Sequence, residues 1–187
     1  AGTTLEDSSE SHDRENILLP RSQSHVQALT DMYPDKTIVV MQTVGQIDTA
    51  PFEKGAKAIL WTSYNGQTQG TAVGRILTGA ANPSGRLTTT WYDAADLEKM
   101  PINAEKTVAE NGVTRYYNNY NIQQADGFSG RTYQYYSGKA AYPFGYGLGY
   151  TEFTYSNPTV SKSVITPGER LTVSVDVTNT GDVPGKE

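Results

Sequence analysis

With 187 residues, 36% of them hydrophobic, and a net charge of −5, the chain can bury a core and shows no basic stripe for a nucleic-acid backbone. It has no cysteine and only two histidines, His12 and His25. Disulfides, thiol nucleophiles and thiolate-bound metals are thereby excluded, and no metal or cofactor is expected. No apolar run approaches the roughly 20 residues of a membrane span, so a membrane partner is not expected either.

The first distinctive stretch is "LEDSSESHDREN", Leu5 to Asn16, in which six of twelve residues are acidic or basic. It raises a choice between a solvated turn and an arm that presents a carboxylate. "RSQSHVQALTDMY" follows, placing Val26, Leu29 and Met32 on one helical face after a serine-rich start, with His25 at helical spacing from Leu29. "KTIVVMQTVG" and "AKAILWTSY" are continuous apolar runs of the kind found in strands buried on both faces. "GTAVGRILTG" spaces Val73, Ile76 and Leu77 for a helix ending at Gly79, "NPSG" makes a turn, and "RLTTTWY" reads as a third strand. Strands and helices alternating over short links predict an α/β fold: a mostly parallel sheet with flanking helices.

From about Asp93 to Ala141 periodicity fades, and ten of the thirteen tyrosines fall between Tyr116 and Tyr155. Long segments without regular structure are uncommon; this one is expected to cover a neighbouring domain or to offer rings to a sugar. After "PFGYGLGYTEFTYSN" the pattern becomes alternating, with Leu171, Val173, Val175 and Val177 on one face. These are expected to be the first strands of an antiparallel β-sandwich. Because an isolated two-stranded ribbon is marginal, and the chain opens on Ala-Gly-Thr-Thr, a segment of a longer protein is expected.

Five stretches in order, "ESHDRENILLP", "TIVVMQTVGQID", "AILWTSYNGQTQGTAVGRILTGAANPSGRL", "GRTYQYYSG" and "YPFGYGLGYTEFTYS", resemble the C-terminal half of family 3 glycoside hydrolases. The resemblance implies an exo-acting retaining β-glycosidase acting on oligosaccharides or aryl β-glycosides, of β-glucosidase or β-xylosidase type. It implies three parts: residues 1–92 as the later part of an α/β sandwich domain, 93–149 as a connector, and 150–187 as the start of a fibronectin-III-like domain. The TIM-barrel domain with its aspartate nucleophile would be a separate partner. No Ser-Asp-Trp-like motif occurs here, so no nucleophile is expected in this chain and it should be inactive alone. An extracellular or periplasmic enzyme is implied, although cytoplasmic members exist.

Retaining glycosidases need two carboxyl groups about 5 Å apart, a nucleophile and a general acid/base. In the family the acid/base glutamate sits in a loop of the form Gly-Glu-Gly-x-Asp-Arg. "SESHDR" places Glu10 three residues before Asp13 and Arg14, which makes Glu10 the acid/base candidate. Glu6 is the fallback and Asp7 a further rival; Ser9 and Ser11 replace the glycines. Asp13 and Arg14 are read as fixing the base of the loop, by capping or ion pairing, more than as sugar ligands. His12 is a candidate substrate contact. Tyr64 and Gln67 follow a buried strand, at the sheet edge that ligands favour, and Tyr64 is a second candidate contact. "GYGLGY" lacks the strand-to-helix setting of a nucleotide loop, so its glycines are read as serving tight turns and close packing. A non-catalytic carbohydrate-binding protein of the same fold is the alternative, supported by Ser9, Ser11 and the missing nucleophile.

Overall fold

A computed structural model describes residues 1–10, 14, 16–99, 106–110, 113–117 and 131–187. The elements in chain order begin with helix α1 (Gln23–Met32), strand β1 (Thr37–Gln42), helix α2 (Ala50–Glu53), strand β2 (Ala56–Thr62) and helix α3 (Gln69–Leu77). Helix α4 (Ala94–Lys99), strands β3 (Lys106–Glu110) and β4 (Val113–Tyr117) and helix α5 (Thr132–Tyr135) follow. Strands β5 (Phe153–Val160) and β6 (Val173–Asn179) complete the order. Two compact units result: residues 1–69 with 89–144, and residues 70–88 with 145–187.

In the first unit β1 and β2 run parallel, with Val39 opposite Ile59, Val40 opposite Leu60 and Met41 opposite Trp61. A parallel pair needs a crossover, and α2 supplies it. Residues 1–3 extend the same sheet. The Gln42 N–H donates to the Ala1 carbonyl (2.9 Å) and the Thr3 N–H donates to the Gln42 carbonyl (3.0 Å). The next residue, Thr43, donates instead to the Thr62 carbonyl (3.1 Å). Successive backbone groups point to opposite sides of a strand, so the N-terminal segment lies on one side of β1 and β2 on the other. Gly2 is required by this approach: a Cβ there would stand 2.6 Å from the Gln42 carbonyl oxygen.

The core of this unit is Leu19, Val39, Met41, Ile47, Phe52 and Trp91, all buried, together with the buried threonines Thr30 and Thr43. Thr30 can be buried because its hydroxyl donates back to the helix carbonyls of Gln27 (2.9 Å) and Val26 (3.2 Å). Two expectations change here. Helix α1 forms where predicted, but it buries Thr30 and leaves Leu29, Met32 and His25 exposed. Strand β1 buries Val39 and Met41 while Ile38 is exposed, so the described residues cover it on one face and not on both.

"RLTTTWY" is not a third strand. It makes single backbone bridges instead: Trp91 exchanges hydrogen bonds with Tyr142 in the first unit (2.8 and 3.2 Å), and Leu87 bonds to Tyr146 and Gly145 in the second (2.8 and 2.7 Å). Polar Thr88, Thr89 and Thr90 separate these bridges, and no ladder forms. The connector also holds regular structure: α4, α5 and the antiparallel pair β3–β4, with Lys106 opposite Tyr117 and Glu110 opposite Val113.

In the second unit β5 and β6 pair antiparallel, with Tyr155 opposite Val177 and Val160 opposite Val173, as the alternating pattern predicts. Gly147 lies so close to the Gly85 carbonyl and the Arg86 side chain that any Cβ would collide, which accounts for the glycine-rich "GYGLGY" run. Parallel pair with flanking helices, then antiparallel pair: this is the predicted fold class.

Candidate functional site

Residues 1–3, β1 and β2 run in the same direction, so all three deliver the chain to one edge of the sheet. From that carboxyl edge spring residues 4–10, the loop 43–48 after β1 and the loop 63–66 after β2. Ligands favour this edge in open α/β sheets.

Thr3 and Tyr64 tie the three loops together. The Val44 N–H donates to the Thr3 hydroxyl (3.0 Å), and the Tyr64 hydroxyl donates to the Thr3 carbonyl (2.9 Å). With its proton so used, the Tyr64 oxygen can accept from the Thr3 hydroxyl, 3.2 Å away. Tyr64 therefore stands at the edge with its polar end engaged inside the protein. Below it, the Trp61 indole donates to Thr43 Oγ1 (2.8 Å), and Trp61, Trp91 and Tyr142 stack edge-to-face at 5.5 and 5.7 Å between centroids. The Gln46 side chain pairs with the Tyr92 backbone at both ends, donating to its carbonyl (2.5 Å) and accepting from its N–H (2.9 Å).

Arg14 is half-buried, and one guanidinium nitrogen donates to the carbonyls of Val44 (3.1 Å) and Gln46 (2.8 Å). Burial lowers its affinity for the proton, and the charge of Asp7 opposes that shift. The other half of the Asp-Arg pair, Asp13, lies outside the described residues, as does His12.

The opening arm is a closed turn. The N–H groups of Asp7 (3.1 Å) and Ser8 (3.2 Å) donate to the Thr4 carbonyl. In return the Thr4 N–H (2.7 Å) and hydroxyl (3.0 Å) donate to Asp7 Oδ2. Arg21 adds a fork, Nη1 to Oδ1 at 2.8 Å and Nη2 to Oδ2 at 2.7 Å. These donors all favour the carboxylate, and Arg21 first, then Thr4, bring the Asp7 pKa down to about 2. Such a group holds no proton to give near neutrality. Asp7, a rival carboxylate in the sequence, is thereby removed as a proton donor. Glu6 and Glu10 are exposed on the same arm.

Thr3, Thr4, Gln46 and Arg21 were not foreseen as members of this edge. Thr4-x-x-Asp7 has the spacing of a side-chain-closed turn and could have been noticed. Nothing in the sequence links Arg21 to a residue fourteen positions earlier.

Residues 1–150 match the glycosyl hydrolase family 3 C-terminal domain. Beta-D-xylosidase 1 of Arabidopsis thaliana is 33% identical over 176 residues, covering 92% of this chain and 20% of the relative. Exo-1,4-beta-xylosidase xlnD of Aspergillus awamori is 36% identical over 166 residues, covering 86% of this chain and 18% of the relative. Among solved structures, the GH3 beta-glucosidase of Bifidobacterium adolescentis superposes with a TM-score of 0.73 at 29% identity, covering 100% of this chain and 27% of that one. The GH3 exo-beta-xylosidase XlnD, in complex with a xylobiose aziridine activity-based probe, gives 0.68 at 32% identity over 83% of this chain and 19% of that one. The chain spans about a fifth of the length of the curated relatives it matches.

Proposed function

Because the chain belongs to glycosyl hydrolase family 3, whose C-terminal domain it matches over residues 1–150, we propose that it is the acid/base-bearing segment of a retaining exo-β-glycosidase. The substrate is a terminal β-xylosyl or β-glucosyl residue of an oligosaccharide. Glu10 protonates the leaving oxygen and then activates water, while an aspartate from a TIM-barrel domain elsewhere in the longer protein forms the glycosyl-enzyme. Without that aspartate this segment does not turn over substrate. Residues 1–92 act as the end of the α/β domain, 93–149 as the connector, and 150–187 as the start of a fibronectin-III-like domain. The enzyme works outside the cytoplasm.

The observation that carries this reading is the arm itself. It leaves the sheet at the ligand-favouring edge, its one clamped carboxylate is Asp7, and Glu10 remains exposed three residues further on. Arg14, joined to the loop 43–48, fixes the base of the arm, and Tyr64 is a contact through its ring face, its hydroxyl being engaged by Thr3. His12 is a further substrate contact. Likeness to the Arabidopsis and Aspergillus xylosidases supports a xyloside over a glucoside.

The test is azide rescue in the full-length enzyme. Glu10→Ala should lose about 10²–10⁴ of kcat/KM on an aryl β-xyloside with a poor leaving group, the usual share of general acid catalysis. On an activated aryl β-xyloside, azide should restore turnover and yield the β-glycosyl azide. Full activity of Glu10→Ala on the poor leaving group would dismiss Glu10, and Glu6→Ala measured alongside would show whether the fallback carries the proton.

A further inference from the structure

Arg21 follows Pro20 just ahead of α1 and holds a backbone conformation, φ 56°, that favours glycine. A long charged side chain is an unexpected occupant of such a position. What it achieves there is the two-point fork onto Asp7 across fourteen residues of chain. The pair lies at the surface, with the Arg21 side chain 60% exposed and the Asp7 side chain that receives its fork 9% exposed. Bidentate geometry is the case in which a surface ion pair orders a loop.

The consequence for the arm is geometric. Among the described residues, Thr3 is the last whose backbone bonds to β1, and Ser9 makes a further isolated bridge. Glu10 follows that bridge directly and stands three residues beyond Asp7. Measured from a fixed Asp7, three residues confine it to about 10 Å. Thr4 closes the short ring, because Asp7 Oδ2 receives its N–H and hydroxyl as well as the Arg21 Nη2.

We propose that Arg21 is a positioning residue of the glycosidase reaction, which through its fork on Asp7 holds residues 4–10 at the carboxyl edge so that Glu10 meets the glycosidic oxygen. This rests on the reading of Glu10 as the acid/base. Arg21 itself touches neither substrate nor the reacting atoms; it limits where the proton donor can stand. Proton transfer demands placement to well under an ångström, and small misplacements cost orders of magnitude in rate.

Arg21→Gly isolates the side chain, since glycine accepts the backbone conformation and the variant should fold. In the full-length enzyme, kcat/KM reports the glycosylation step, which needs the acid only when the leaving group is poor. Arg21→Gly should slow a phenyl-type β-xyloside roughly tenfold and a dinitrophenyl-type β-xyloside less than twofold, with the circular dichroism spectrum of the folded enzyme retained. Arg21→Lys, which keeps the charge but not the fork, should recover part of the loss. Equal slowing of both substrates, or of neither, would overturn the proposal. If Glu10→Ala is also unimpaired on the phenyl-type substrate, the acid/base reading falls with it. If Glu10→Ala is crippled and Arg21→Gly is not, only the clamp falls.

Discussion

In the parallel pair β1–β2, Val39 and Met41 are 4% and 1% exposed, whereas in β5–β6 Val173, Val175 and Val177 are 66%, 46% and 48% exposed. Both pairs are built from β-branched residues, and both hold their register through backbone hydrogen bonds. The difference is the third dimension. In the first unit α1 and α2 pack on the strands, and Phe52 of the crossover is 1% exposed. In the second, residues opposite each other share a face, so Tyr155, Val160, Val173, Val175 and Val177 line one apolar side that none of the described residues buries. The opposite side carries Thr154, Ser156, Asp176 and Thr178, as suits a surface in water. Strand pairing is a local matter, and stability comes from what covers the sheet.

Three measurements break or sharpen this contrast. Phe52→Ala removes a fully buried ring under the parallel pair and should cost about 3–5 kcal/mol in urea unfolding, through lost transfer energy and the cavity left behind. A loss below about 1 kcal/mol would mean that the first unit is not a packed core. Val175→Ala should cost no more than about 0.5 kcal/mol in this chain, as surface substitutions do. The same substitution in the full-length enzyme sharpens the comparison: a cost above about 1 kcal/mol there would show that the valine face is covered by chain outside these residues.

The smallest expected effect concerns Asp7, where the reading is a pH and not an energy. Its folded pKa is depressed from 3.8 to about 2, so its contribution is complete above about pH 4 and is lost as the pH falls towards 2. A carboxyl titration of the folded chain by NMR should place the Asp7 midpoint near 2, and Arg21→Gly should return it towards 3.8. A midpoint near 3.8 in the native chain would remove the fork as an ordering contact.

Several features of the fold were legible in the residues for definite reasons. Continuous apolar runs bounded by polar loops located β1 and β2, and the alternation of Val173, Val175 and Val177 located β6. A further signal is the Asn-Gly dipeptide between "KTVAE" and "VTRYY", a hairpin signature in sequence, and the two stretches pair antiparallel as β3 and β4. "RLTTTWY" misled in the other direction. Threonine and tryptophan favour strands wherever a neighbouring strand is available, and here only Leu87 and Trp91 make backbone bonds, to Tyr146, Gly145 and Tyr142, none of which lies in a strand. On α1, hydropathy points to Leu29, yet Thr30 is the buried residue because its hydroxyl can be satisfied by its own helix.

The candidate site divides in the same way. That acidic residues crowd one arm, with Glu10 three positions ahead of Asp13-Arg14, is written in the chain and needs no coordinates. Composition and periodicity likewise determined a mixed α/β chain with an antiparallel end, because they depend on neighbours within a few residues. Which carboxylate is pinned, and by what, depended on Arg21 returning to Asp7 from beyond a proline-bounded turn. That Tyr64 spends its hydroxyl on Thr3 depended on two chain segments sixty-one residues apart meeting at one sheet edge. Charge and hydrogen-bond partners act through space over a few ångströms, and only the folded chain decides which residues come that close.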